Sequence, residues 1–331
     1  MRTTLVCAAL AALAVGGLGT APAGAQRSGP RLLVLNKEDA AMVIVDPDSG
    51  TVLGKVGVGV QPHELVASTD GRTAFASNYG TGPAPGHTIS MIDIAARKEM
   101  RRIDTAPLMR PHGLAFAGGK LYFTAEGSKK IARYDPAADR IDWEFETGQA
   151  TTHMVIVSKD LKTIFTSNIS ADNVSVIQQG SDGKWTQTLV AVGKGPEGID
   201  LSPNGREVWS AHSRDGGVSI IGVASKKVAH TIDAGTKRSN RVKLTPDGSF
   251  ALLSDVDTGE LVVVDAVKHA VIKRLPVGKQ PEGVLIAPDG SRAFVAVNGD
   301  NAIAVVDTKT WTVTKKLSPG MGPDGMAWSQ Q

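Results

Sequence analysis

The stretch KQPEGVLIAPDGSRAFVAVNGDNAIAVVD, residues 279–307, packs three short apolar runs between tight turns. GVLIA, RAFVAV and AIAVVD are each too short for a stable helix and rich in β-branched residues. APDG between the first two supplies the Pro, Asp and Gly that tight turns need. Strand, turn, strand, turn, strand is the simplest reading.

The opening phrase of this stretch recurs along the chain. PHELVASTDG starts at Pro62, PHGLAFAGG at Pro111, THMVIVSKD at Thr152 and PEGIDLSPNG at Pro196. SNRVKLTPDG follows from Ser239, PEGVLIAPDG from Pro281 and PDGMAWS from Pro323. These seven copies are spaced by 49, 41, 44, 43, 42 and 42 residues. The long first interval contains an insertion, YGTGPAPGH, from Tyr79 to His87, which reads equally well as a lid or as an elongated loop.

Each unit reads as four strands. An inner strand follows the phrase, a second ends near a polar residue, a third is β-branched and ends in Asp, and a fourth is mixed and polar. Four strands repeated at this period predict an all-β propeller of four-stranded antiparallel blades. The last copy stops after its inner strand, whereas RLLVLN, AMVIVD and TVLGKVGVG near the N-terminus lack one. Joined, they complete a seventh blade, so the N-terminal strands are expected to pair with the C-terminal strand and close the ring.

SPNGREVWSAHSRDGGVSIIG and APDGSRAFVAVNGDNAIAVVD resemble the YVTN-repeat β-propellers, including the YncE-like exported proteins. The resemblance covers most of the chain and implies a seven-bladed, extracytoplasmic propeller. It carries over no agreed catalytic residues. The chain departs from the pattern at the third phrase position, where Glu64, Met154 and Arg241 replace the usual glycine.

Residues 1–25 read as a Sec-type signal peptide, with one basic residue, a short apolar run and Ala23-Gly24-Ala25 before Gln26. This predicts a periplasmic or secreted protein with one propeller domain over 26–331. The only cysteine, Cys7, would leave with the leader, so disulfides, thiol nucleophiles and thiolate ligands are excluded from the mature chain. Without residues 1–25 the chain keeps 35 basic and 33 acidic residues, close to neutral. That balance, with 5% aromatic residues, argues against a nucleic-acid partner. No later run is long and apolar enough for a membrane span, and no glycine-rich turn precedes a helix that could receive a nucleotide phosphate.

The middle residues of the phrase, taken in order, are His63, His112, His153, Glu197, Asn240, Glu282 and Asp324. In a propeller they fall at one mouth of the central channel. The ends of the second strands, Asn36, Asn78, Glu126, Asn168, His212, Asp255 and Asn298, are expected as a second ring on the same face. Three imidazoles from adjacent blades, His63, His112 and His153, suit Zn²⁺ or Cu²⁺. Ca²⁺ on Glu282, Asp324, Asn36 and Asn298 is the hard-cation alternative. Glu197 and Glu282 are candidate general bases. Arg241, Asn240, Asp324, Asp255, His212 and Glu126 are candidate ligand-binding residues, with Arg241 suited to clamping a carboxylate or phosphate. Lys194, Lys237, Arg238, Lys279 and Arg110 are expected at a basic rim that would steer an anionic ligand inward.

Three functions fit this reading: a metal- or small-ligand-binding protein, a metal-dependent hydrolase or lyase of the lactonase kind, and a cell-envelope scaffold for a protein partner. Polar residues at a wet channel mouth also need no function at all. The sequence leaves the oligomeric state open.

Overall fold

Residues 29–330 are described by a computed structural model, so the leader expected over residues 1–25 lies outside the described residues. Twenty-eight strands form seven four-stranded antiparallel sheets, each built from consecutive hairpins except the last. We number the blades by the order of their phrases. In the seventh blade Pro323–Ser329 lies inside Arg31–Asn36, which is followed outward by Ala41–Val45 and Val52–Gly57. Leu32 pairs with Trp328 and Val34 with Met326, which closes the ring. Ser329 Oγ then donates to the Gly71 carbonyl of the first blade at 2.8 Å.

The burial of each strand follows its place between two neighbouring sheets. Second and third strands are covered on both faces, and RLLVLN and AMVIV are buried at every position. That explains their near-continuous apolar character. Leu33, Leu35, Met42 and Ile44 of the seventh blade pack on Leu65, Ala74, Ala76 and Ile92 of the first. Phe75 and Ile89 of the first pack in turn on Leu121 and Phe123 of the second. Fourth strands such as KEMRRID are mostly exposed and carry the charge. Among the described residues, helix is limited to three short 3-10 turns, at Glu126–Ser128, Ile169–Ala171 and Asn298–Asp300. No helix there is long and apolar enough to cross a membrane.

The insertion is an ordered hairpin tip. Its flanking strands run Thr73–Gly80 and Pro85–Asp93, and Gly80 pairs with Pro85. Gly80 has φ +78°, and a Cβ there would lie 2.2 Å from Gly86 N, so only glycine fits.

At the third phrase position the blades read Glu64, Gly113, Met154, Gly198, Arg241, Gly283 and Gly325. A Cβ on Gly325 would lie 2.3 Å from the His63 carbonyl, and one on Gly283 2.2 Å from the Asp324 carbonyl. These glycines let neighbouring inner strands touch. The three side chains that replace glycine meet each other: Arg241 Nη2 donates to Glu64 Oε1 at 2.6 Å, and Nη1 lies 3.2 Å from Met154 Sδ. Large and small residues thus interleave around the ring, and the large ones fill the channel beneath its mouth.

Candidate functional site

A β-bulge in the phrase aims each functional side chain. In the first blade Pro62 pairs with Asn78 and Leu65 with Ala76, so the inner strand carries one residue more than its partner. The same shift recurs in every blade. A bulge frees the extra residue from the ladder and redirects its side chain. His63, His112, His153, Glu197, Asn240, Glu282 and Asp324 all line one cavity of about 360 Å³ as a result.

Hydroxyls on the second strands lock the bulges to the neighbouring blades. Gly113 N donates to Thr124 Oγ1 at 2.8 Å, and that hydroxyl donates to the His153 carbonyl at 2.6 Å. Ser167 relays Met154 N to the Glu197 carbonyl, and Ser254 relays Arg241 N to the Glu282 carbonyl.

Most of the expected second ring stands behind the first. Second strands are one step farther from the axis, so their ends serve the turns. Asp255 accepts from Lys237 N at 2.8 Å and Arg238 N at 2.9 Å and is fully buried. His212 is 1% exposed, with Nδ1 2.9 Å from Asp215 Oδ1. Neither His212 nor Asp255 lines the cavity, so the structure does not place them as ligand-binding residues. Asn78 and Asn168 are likewise spent on hydrogen bonds within their own blades. Glu126 differs because its strand stops at Ala125 and the 3-10 turn carries it into the cavity.

One pole of the cavity is imidazole-rich. The rings of His63 and His112 are 5.1 Å apart, and those of His112 and His153 are 3.9 Å apart. His63 Nδ1 lies 2.9 Å from the Gln61 carbonyl, whereas His153 Nδ1 is hydrogen-bonded to Glu126 Oε1. Tyr79 donates its hydroxyl to Glu126 Oε2 at 2.5 Å. His112, 5% exposed, has a buried Nδ1 with no hydrogen-bond partner. Burial, and then the neighbouring imidazoles of His153 and His63, hold His112 well below the usual histidine range, so it is neutral. Burial would also lower His153, but the Glu126 carboxylate more than reverses this and raises it. Burial and Glu126 together push the Tyr79 phenol up, which keeps it a donor.

The residues fit a divalent metal. His112, Glu126 and His153 each offer a ligand atom within 4.8 Å of the others, and His63 adjoins them. A neutral buried imidazole without a partner is the form that ligates.

The opposite pole is a buried ion network. Lys37 Nζ lies 2.6 Å from Glu282 and 2.9 Å from Asp324. Its ammonium takes the place that a hard cation on Glu282 and Asp324 would need, which removes the Ca²⁺ alternative there. Asn36, expected in that set, instead donates its amide to the Pro319 carbonyl. Burial and the adjacent Asp324 push Glu282 up to about 7. Burial acts to raise Asp324 too, but Lys37 and Arg241 keep it below the usual carboxylate range. Between the poles, Asn240 donates to Glu197 Oε1 at 2.7 Å.

Arg241 lines the cavity but its charge is engaged by Glu64 at 2.6 Å and Asp324 at 3.9 Å. Three of the five rim residues are engaged within the protein: Lys194 with Asp172, Arg238 with Asp257, and Arg110 with the carbonyls of Thr81 and Gly82. The two ion pairs answer part of the charge that was expected to steer an anion. Two ionisable cavity residues, Lys37 and Tyr79, were not among the expected site residues. Each directly follows a residue of the expected second ring, Asn36 or Asn78, and Tyr79 opens the insertion.

No protein-family model matches the chain, and no curated protein matches it. Solved structures do. A putative 6-phosphogluconolactonase from Bacteroides uniformis superposes with a TM-score of 0.76 at 17% identity, covering 91% of this chain and 100% of that one. The periplasmic gluconolactonase of Pseudomonas aeruginosa gives 0.73 at 20% identity, over 91% and 99%. Hydrazine synthase of Kuenenia stuttgartiensis gives 0.74 at 19% identity, over 88% and 99%. The chain therefore has the seven-bladed propeller fold found in lactonase-like proteins. At these identities the likeness is one of fold.

Proposed function

We propose that this protein is an exported YVTN-type propeller that holds a divalent transition-metal ion at the imidazole pole and takes a small polar ligand in the cavity beside it. The observation that carries the reading is the convergence of His112, Glu126 and His153, with His63 beside them and His112 Nδ1 buried and unpartnered. Five carboxylates line the cavity, Glu64, Glu126, Glu197, Glu282 and Asp324, against the cations Lys37, Arg238 and Arg241. Such a balance favours a cation plus a neutral, hydroxylated ligand over a bare anion. The resemblance of the repeats and the leader expected from the sequence over 1–25 support export.

A second reading, hydrolysis of a lactone, is favoured by Glu282. A carboxyl group raised to about 7 is poised to take and return protons near neutral pH. Bound metal would supply Lewis-acid polarisation of a carbonyl. Glu282 would accept the proton from water, Lys37 would hold Glu282 in place, and Asn240 would orient Glu197 against a ligand hydroxyl. Two of the structural neighbours carry gluconolactonase names.

The deciding experiment is metal content by mass spectrometry of full-chain protein purified without chelator, beside the triple His63, His112 and His153 to Ala variant. Near-stoichiometric zinc or copper, absent from the triple variant, is expected. No metal in the parent protein, even after reconstitution, would sink the reading. Acid release from a lactone panel then separates binding from hydrolysis.

A further inference from the structure

His112, Glu126 and His153 form the tightest donor set, yet their hydrogen bonds divide them into different roles. We infer that the metal is held by nitrogens of His63, His112 and His153, and that Glu126 is an outer carboxylate that orients His153, itself pinned by Tyr79 from the inserted hairpin. This rests on the metal-binding reading above and says which residue does what within it.

Two imidazoles are already fixed as metal-bound imidazoles are. A ligating histidine ordinarily donates its other ring N–H to a carboxylate or a backbone carbonyl, which sets its tautomer and aim. His63 presents Nδ1 to the Gln61 carbonyl at 2.9 Å. His153 presents Nδ1 to Glu126. Each keeps Nε2, the nitrogen on the other side of the ring, and both side chains line the cavity. Since Glu126 bonds His153 on its Nδ1 side, it stands away from an ion on Nε2. Its second oxygen is taken by the Tyr79 hydroxyl at 2.5 Å. His112 lies between the other two rings, 5.1 Å from His63 and 3.9 Å from His153, and His63, outside the set whose donor atoms lie within 4.8 Å of one another, would turn toward the ion to complete the three.

The insertion explains how Tyr79 gets there. Arg110 Nη2 grips the hairpin tip through the carbonyls of Thr81 and Gly82, at 3.0 and 3.1 Å. Its guanidinium stacks 4.9 Å over the Tyr79 ring. That ring lies 4.7 Å from His63 and stands edge-on to His112 at 5.4 Å. The extra residues of the first blade thus deliver a phenol that walls two imidazoles and holds the carboxylate behind the third. Tyr79 and Glu126 are positioning residues.

Pulsed electron paramagnetic resonance of the full chain loaded with Cu²⁺ counts coordinated imidazoles directly, and titration gives the affinity. Three imidazoles are expected in the parent protein. Tyr79→Phe and Glu126→Gln should keep all three while weakening Cu²⁺ about 10–100-fold, the usual effect of losing an outer partner. His63→Gln should show two and bind more weakly still. Two imidazoles in the parent, or unchanged affinity and count in His63→Gln, would overturn the inference and make Glu126 the third ligand. Failure of the parent to bind Cu²⁺ or Zn²⁺ would instead overturn the metal-binding reading beneath it.

Discussion

Arg241 and Glu64 stand 177 residues apart in the chain and 2.6 Å apart in space, both almost fully buried. Each occupies a position where most of its repeats carry glycine. Breaking a buried ion pair from one side leaves an uncompensated charge and costs about 3–5 kcal/mol. Arg241→Ala should therefore lower the urea midpoint strongly. The double variant with Glu64→Ala should lose less than the sum of the singles, with a coupling of roughly 1–3 kcal/mol. Strict additivity in that cycle would show that the pair does not plug the channel as a unit.

Glu282 makes stability pH-dependent in a defined direction. Its folded pKa, about 7, lies above its ordinary value of 4.5. Between those two values the folded state binds the proton more tightly than the unfolded state does. Stability contributed by the protonated form is full below 4.5 and lost as pH rises through 7, on the order of 3 kcal/mol. Asp324 is shifted the opposite way and titrates below this window. Unfolding free energies at pH 5 and pH 8 should differ in the parent protein, and Glu282→Gln should flatten the difference. An unchanged slope in Glu282→Gln would assign the effect to another group.

Thr124 joins the second blade to the third at the imidazole pole. Thr124→Val keeps the branch and volume but leaves Gly113 N–H and the His153 carbonyl without their shared hydroxyl. A loss of about 1–3 kcal/mol is expected. Zinc affinity should fall too, because the hydroxyl fixes the backbone of His153. If stability falls while zinc affinity holds, the relay fastens the blades without setting the site.

The seventh blade depends on both chain ends. Deleting Pro323–Ser329 removes its inner strand and exposes Arg31–Asn36, which is fully buried in the intact ring. The deletion should lower the thermal transition sharply and promote association through the bared strand. Calorimetry and light scattering would show it. A deletion variant that melts like the parent would mean that the ring does not need its clasp.

Fold and site were legible to different degrees. The phrase spacing and the split seventh blade gave the strand count, the blade count and the closure, because short apolar runs bounded by turn residues recur in every blade. The first ring at the mouth was also readable, since one bulge repeats at one place in every phrase. The second ring was misjudged because its polarity comes from turn-making. Asp255 caps backbone amides and His212 leans on Asp215, and nothing in their spacing tells a turn carboxylate from a ligand. Glu126 reaches the cavity only through a 3-10 turn one residue past its strand. Lys37 between Glu282 and Asp324 was invisible because its partners lie 245 and 287 positions away.

Alternation around a ring needs an even number of members, and this ring has seven. Large residues at blades one, three and five leave two glycines, Gly283 and Gly325, side by side. The mismatch falls at the pair of blades whose Glu282 and Asp324 share Lys37. Seven members cannot close a strict alternation of large and small residues, so one junction must seat two small ones side by side. Here that junction is the one where the ion network gathers, so an odd blade count sets the place at which this ring departs from its own pattern.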